Sequence, residues 1–358
     1  MRRRFLLLQQ WRVSEMLHYR LAKINLKHML DRILAVAPMM GCTDRHCRYL
    51  LRLISPHAVL YGEMIVTGAL LHGDTAYFLQ HQQDEPVAFQ LGGSDPAGLA
   101  RCAELIEQAG YQEINLNVGC PSNRVQAGGI GACLMREPEL VAACFNAMQS
   151  VVSIPVTIKC RIGINDMDSY EFFMGFVKTV HHAGCRTFIV HARKAVLGGL
   201  SPKDNREIPP LKYSYVYDIQ KAFPDAVFVL NGGMKTTADV IEQLEKVKGV
   251  MLGRAAYSNP WMLAELESSI FNTPLPNGNE IVMQYRDYMK QKMAVGTHFK
   301  HMAKHLLGLF AGVPGARAYR RHLSERMFKD DVGVECLDEA MAFIDVRHDG
   351  NDKYLRTA

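Results

Sequence analysis

The chain has 358 residues, 48% hydrophobic and 22% charged, enough for one domain of about 250 residues plus a smaller one. No apolar run approaches the roughly 20 residues that a membrane-spanning helix needs, so no membrane partner is expected. The net charge of +5 is uneven: residues 1–32 carry +6, residues 33–280 carry −4, residues 281–330 carry +7 with four histidines, and residues 331–358 carry −4.

A basic segment on a mildly acidic body points to a polyanionic partner, with a solvated helix face as the bland alternative for residues 281–330 alone. The nine cysteines are scattered singly and form no CxxC pair, so neither a zinc ribbon nor an iron–sulfur site, and no metal, is expected. Their odd number reads as reduced thiols of a cytosolic protein.

At the N-terminus, Met1–Leu8 has a basic start and only three leucines after Phe5. That is too short for a secretory apolar region and lacks a small-residue cleavage site. It reads either as an Arg-rich organellar presequence or as sequence upstream of a later start at Met16 or Met29. The second reading is favoured, and residues 1–28 are expected to be disordered or not native.

From residue 33 short apolar runs rich in Val and Ile recur. They are Ile33–Pro38, Ala58–Tyr61, Pro86–Leu91, Glu113–Asn117, Pro155–Lys159, Thr187–His191, Ala226–Leu230 and Gly249–Leu252. Near-continuous apolar character over so few residues fits strands buried on both faces of a parallel sheet. Helical stretches separate most of them, including Pro96–Ala109, Pro138–Ser150, Ser169–His182 and Thr237–Lys246. Thr236 or Thr237 suits an N-cap, Pro96 and Pro138 suit a first turn, and Gly110 and Gly184 suit helix ends.

Eight such strands with crossovers predict an α/β fold, a (β/α)8 TIM barrel over residues 29–272. A doubly wound open sheet would normally carry GxGxxG after the first strand, where this chain has Pro38-Met-Met-Gly-Cys-Thr43. Thr273–Asn279 reads as a linker. Residues 281–345 are expected to form a small C-terminal domain, helical throughout except at Gly312-Val-Pro-Gly315, followed by a tail over 346–358.

Function in such a barrel sits at the C-terminal strand ends. In strand order these offer Pro38, Met39 and Met40; Gln90; Asn117 and Cys120; Lys159 and Arg161; His191, Arg193 and Lys194; Asn231, Gly232 and Gly233; and Gly253 and Arg254. The paired glycines after the seventh strand and Gly-Arg after the eighth match the usual phosphate site of the fold. Glycine lets backbone N–H groups approach phosphate oxygens, and Arg254 adds a bidentate cation. Lys159 ends an apolar strand and needs an anionic partner. Gln90 can both donate and accept at the polar edge of a bound ring.

The run Ile114–Arg124, with Asn117-Val-Gly-Cys-Pro121, resembles the signature of the dihydrouridine synthases, flavin enzymes that reduce a uracil ring in transfer RNA. Ala37–Asp44, Phe89-Gln-Leu-Gly92, Lys159-Cys-Arg-Ile-Gly163, Val190-His-Ala-Arg193, Asn231-Gly-Gly233 and Leu252-Gly-Arg254 complete the resemblance across residues 33–330. It implies FMN held by Pro38, Met39, Gln90, Lys159, His191, Asn231, Gly232, Gly233, Gly253 and Arg254. It also implies NADPH as reductant, with NADH open as an alternative, and uracil facing Asn117 and Arg161. Cys120 would then donate a proton to C5 of the uracil. A thiol suits that role, since at a free pKa of about 8.5 it is mostly protonated near neutral pH. The other eight cysteines are expected to be buried small hydrophobes.

A base inside folded RNA must be extruded to reach a flavin, which calls for contacts to the surrounding backbone. Lys300, Lys304, His305, Arg317, Arg320 and Arg321, with Tyr319 as an interleaved aromatic, are the expected surface. The loop Leu197–Pro210 adds Lys203 and Arg206. Lys194–Arg206 and Gly312–Arg320 look like the A-type subgroup of the family, which implies D-loop uridines 20 and 20a. The partner expected is transfer RNA, the chain a monomer, its place the cytoplasm. Two rivals stay open: a flavin barrel oxidoreductase acting on a small molecule, which leaves the +7 segment unexplained, and a non-catalytic RNA-binding protein, which leaves Lys159, His191 and Arg254 unexplained.

Overall fold

Strands form where apolar residues alternate with a second, partly polar set. The computed structural model describes residues 32–81, 84–329 and 331–344, so the expectations for residues 1–28 and 346–358 lie outside it. Nine strands make one parallel sheet: β1 (Leu34–Val36), β2 (Val59–Tyr61), β3 (Ile65–Val66), β4 (Val87–Gly92), β5 (Glu113–Val118), β6 (Val156–Arg161), β7 (Thr187–His191), β8 (Val227–Asn231) and β9 (Gly249–Leu252). The order is β2-β1-β9-β8-β7-β6-β5-β4, and pairing of Leu60 with Val87 and of Tyr61 with Ala88 joins β2 to β4 and closes the circle. The closed wall of eight strands is a (β/α)8 barrel. The ninth strand, β3, was not foreseen. It pairs beside Leu91 and Gly92, where β4 continues past the end of the short β2, and two residues carry no readable period.

The crossover helices are capped as their sequences dictate. Asp95 accepts from the Gly98 N–H at 2.8 Å at the head of Pro96–Gln108. Thr236 and Asp239 form a reciprocal capping box for Thr237–Leu244. Gly110 and Gly184, at φ +91° and +109°, take the left-handed turn after two of the helices.

Period-two alternation sorts the strand side chains. Ile114, Leu116 and Val118 of β5 pack in the core under the helices, as do Phe188, Val190, Phe228 and Leu230. The alternate set, Glu113, Asn115 and Asn117 on β5 and Thr157, Lys159 and Arg161 on β6, lines the barrel interior. β5 and β6 are therefore not the continuous apolar strands expected; their inner face is polar.

After the helix Trp261–Phe271 come Gly278–Ala294, Phe299–Ala303, a 3-10 turn at Leu306–Gly308, Ala316–Arg326 and Glu335–Met341. The expectation of helix over 281–345 broken only at Gly312–Gly315 is corrected on two counts. Gly296 takes φ +91°, ending one helix, and residues 328–329 and 331–333 are not helical either, beside the foreseen Gly312–Gly315 break. This segment packs on the barrel helix Arg45–Ile54. Tyr288 stacks on Tyr49 at 4.1 Å, and Tyr285 donates to the carbonyls of His46 (3.3 Å) and Met302 (3.2 Å). Among the described residues no helix is long and apolar enough to cross a membrane.

Candidate active site at the C-terminal mouth of the barrel

β5 ends at Val118, and Gly119-Cys120-Pro121 turns outward. The Asn117 carbonyl Oδ1 accepts from the backbone N–H groups of Gly119 (3.1 Å) and Cys120 (3.0 Å), which fixes that turn. The Cys120 carbonyl accepts from Ala132 N–H at 2.9 Å. Gly131, at φ +80°, permits this approach, since a Cβ there would sit 2.7 Å from the same carbonyl oxygen. The Cys120 side chain stays partly exposed. Of the other eight cysteines, six are buried as expected, whereas Cys42, in the turn after β1, and Cys133, in the 3-10 helix Gly131–Arg136, are partly exposed.

The expected flavin residues come together on this one face. Pro38 and Met39 follow β1, where Met39 N–H donates to Thr43 Oγ1 at 2.9 Å. Gln90 near the end of β4 accepts from Asn117 Nδ2 at 2.9 Å. Lys159 Nζ donates to Asn231 Oδ1 at 3.0 Å, and Asn231 Nδ2 donates to the Met251 carbonyl at 2.8 Å, so the Asn231 amide is held from both sides. Gly232 and Gly233 take φ +106° and +83°. A Cβ at Gly232 would come 2.6 Å from His191 Cδ2, and one at Gly233 would come 2.5 Å from Leu211 Cδ1, so only glycine serves at either position. At Gly253 a Cβ would meet nothing within 4 Å, which leaves its backbone open toward the mouth. Arg254, exposed at the start of the helix Arg254–Ser258, pairs with Glu207 Oε1 at 2.7 Å.

The electrostatics are those of a site for an anion. Burial, then Arg161, pushes Lys159 down to about 8. Burial, then Arg161, Lys159 and Arg193, holds His191 well below the ordinary imidazole range, so its ring is neutral at physiological pH. Burial pushes Arg161 down to about 10, with Arg206 and Arg193 adding to it. Arg161 is 3% exposed, and its Nε and Nη1 donate to the carbonyls of Gly119 (3.1 Å), Lys194 (3.1 Å) and Asn205 (2.9 Å). It braces the Cys120 turn against the loop after β7.

That loop is built around Asn205, whose buried amide accepts from Val196 N–H (2.7 Å) and donates to the Val196 carbonyl (3.0 Å). Lys203 and Arg206 flank it and are exposed. Between Ser122–Arg124 and Gly199–Pro202 lies a groove of about 510 Å³, in the size range of ligand clefts. Arg124 on its wall was not singled out from sequence, although its place beside Pro121 was a usable signal. Lys304 reaches the barrel mouth, where it pairs with Asp44 Oδ2 at 2.9 Å and donates to the Gly41 carbonyl at 3.4 Å. Arg317 and Arg320 are exposed, with no carboxylate partner among the described residues. Tyr319 and His305 correct the expected surface: Tyr319 is fully buried, edge-on to Phe310, because its helix turns that face to the core, and His305 is buried against Asp44 Oδ1 at 2.9 Å. The residues missed most completely are Glu113, Asn115 and Thr157. The alternation Glu-Ile-Asn-Leu-Asn-Val was the signal that could have found the first two.

The dihydrouridine synthase family profile matches residues 35–345. A tRNA-dihydrouridine(20/20a) synthase of Yersinia pestis is 51% identical over 313 residues, covering 87% of this chain and 91% of the relative. The protein of the same description from Escherichia coli strain K12 is 50% identical over 313 residues, with the same two coverages. A solved 2-naphthoyl-CoA reductase complex aligns with a TM-score of 0.51 at 10% identity, over 68% of this chain and 50% of that one, and shares the fold alone.

Proposed function

The chain belongs to the dihydrouridine synthase family, and on that premise we propose that it reduces the C5–C6 double bond of uridines 20 and 20a in the D-loop of transfer RNA. The observation that carries the reading is Cys120. Its side chain is partly exposed on a turn held by Asn117, Arg161 and Ala132, at the mouth of a barrel lined with cations. The small-molecule alternative has no use for the exposed arginines of Ala316–Arg326.

The residues present fit a flavin mononucleotide. Gly253 offers open backbone, Gly232 and Gly233 take left-handed turns that only glycine serves, Arg254 offers a cation for phosphate, and Lys159 offers a half-buried cation held by the neutral Asn231 amide. Pro38, Met39, Gln90, His191 and Asn231 complete the set. FMN, when bound, supplies the hydride that C6 of the uracil receives, and NADPH renews it.

The chain itself has three tasks. Lys159 places positive charge where negative charge accumulates. Asn117 and Arg161 hold the turn that carries the thiol. Cys120 transfers the thiol proton to C5 as C6 accepts the hydride, so that two electrons and two hydrogens are added and the thiolate regains its proton from water. The thiolate forms on the turn that Arg161 holds through the Gly119 carbonyl. The reading makes the protein a cytoplasmic enzyme acting as a monomer.

Purified protein should be yellow with bound FMN, and transfer RNA from cells lacking it should lose dihydrouridine at positions 20 and 20a. Intact dihydrouridine at both sites would overturn the assignment. Lys203, Arg206, Arg317 and Arg320 are proposed to meet RNA phosphates, with Lys304 at the mouth. Replacing Arg317 and Arg320 together with alanine should weaken binding and lower the slope of log K against log salt by about 2. An unchanged slope in filter-binding titrations would remove that helix from the RNA path.

A further inference from the structure

A single chain of hydrogen bonds runs through the barrel interior from its floor to the Cys120 turn. At the floor Glu113 Oε2 accepts from Arg32 Nε (2.9 Å) and Nη2 (2.6 Å). Its Oε1 accepts from Tyr61 (2.6 Å) and from Thr157 Oγ1 (2.6 Å). Thr157 Oγ1 in turn accepts from Asn115 Nδ2 at 2.8 Å, Asn115 Oδ1 from Gln90 Nε2 at 2.7 Å, and Gln90 Oε1 from Asn117 Nδ2 at 2.9 Å. Asn117 Oδ1 closes the chain on the N–H groups of Gly119 and Cys120. Glu113, Thr157, Asn115 and Gln90 are all at most 1% exposed, so water does not substitute for a missing link.

The two ends force the direction of every link. A carboxylate taking bonds from Arg32, Tyr61 and Thr157 only accepts, and backbone N–H groups only donate. An amide of reversed orientation anywhere between them would set two donors or two acceptors against each other in a dry interior, at the cost of a buried unsatisfied pair. We propose that Glu113, Thr157 and Asn115 are positioning residues for the reaction, which rests on the function proposed above: they fix the amide orientations of Gln90 and Asn117. Both amide oxygens then accept within the chain, and each amide keeps one N–H that the chain does not use. The group that Gln90 meets on a bound ring, and the group that Asn117 meets on the uracil, is therefore a hydrogen-bond acceptor, such as a ring carbonyl.

Thr157→Val keeps shape and burial but removes the link between Asn115 and Glu113, so that Asn115 Nδ2 loses its acceptor and the amides beyond it are held from the Gly119–Cys120 end alone. Thr157→Ser restores the hydroxyl. The test measures FMN content, flavin reduction by NADPH, and reoxidation of the reduced enzyme by saturating transfer RNA. Thr157→Val is expected to slow reoxidation by about tenfold, with FMN content and thermal unfolding close to the parent, while Thr157→Ser returns to within about twofold. Parent-like reoxidation in Thr157→Val, or an equal loss in Thr157→Ser, would overturn the inference. If Thr157→Val does not fold, Asn115→Asp supplies the same test. It retains an oxygen for Gln90 and loses the N–H to Thr157, and a parent-like rate in that variant would overturn the inference equally. Failure of the unsubstituted protein to be reoxidised by transfer RNA would instead count against the proposed function.

Discussion

Cys120→Ala is expected to abolish productive turnover on transfer RNA, lowering the rate of dihydrouridine formation by roughly 10²- to 10⁴-fold, the usual worth of a positioned general acid. The fold and the cofactor site should survive, because the Cys120 turn is held through backbone atoms: its N–H on Asn117 and its carbonyl on Ala132. The variant should therefore purify with FMN and be reduced by NADPH at a rate close to the parent. Stopped-flow absorbance separates the two half-reactions. Normal reoxidation of Cys120→Ala by transfer RNA would show that C5 takes its proton from elsewhere.

Lys159→Met is expected to act on the other half-reaction. Loss of a preorganised charge from an enclosed site commonly costs about 10²- to 10³-fold, and reduction by NADPH should slow by that order. Stability should move the opposite way. Lys159 has a pKa pushed down to about 8 in the folded protein, against an ordinary 10.5 when unfolded. Below pH 8 both states hold the proton, so the whole cost of keeping that charge buried is felt. As pH rises from 8 toward 10.5, the unfolded state binds more protons than the folded one, and the cost is lifted. Methionine at this position removes a cost on the order of 2–3 kcal/mol at neutral pH. The cofactor-free variant should melt higher than the cofactor-free parent at pH 7, and the difference should vanish above pH 10.5. For the parent, FMN affinity should fall as pH rises through 8, because a bound anion carries the lysine pKa upward and the free protein has lost that proton. A melting difference that ignores pH would show that Lys159 is not held as a half-buried cation.

Much of this was legible in the chain because it depends on local chemistry. A strand followed by Gly-Gly, a strand followed by Gly-Arg, and a lone thiol between Gly119 and Pro121 each state their purpose within a few residues. What was not legible involved residues distant in sequence. Tyr319 sits among arginines in the sequence, yet helical rotation turns it inward onto Phe310. Arg161 stands two residues after Lys159, as a substrate contact would, but its donors reach Gly119, Lys194 and Asn205. The Ile65–Val66 strand exists only because β4 offers an unpaired edge.

The sequence by itself determined the barrel, the helical segment that follows it, the cation-rich strand ends and the thiol, since each is written as a local period or a short motif. Only the tertiary structure decided how those groups are oriented. Glu113, Asn115 and Thr157 look like ordinary polar residues in strands. Closing eight strands into a circle turns them to a common dry interior, where each donor must find an acceptor. That constraint, and not any spacing in the chain, links the floor of the barrel to the turn that carries Cys120.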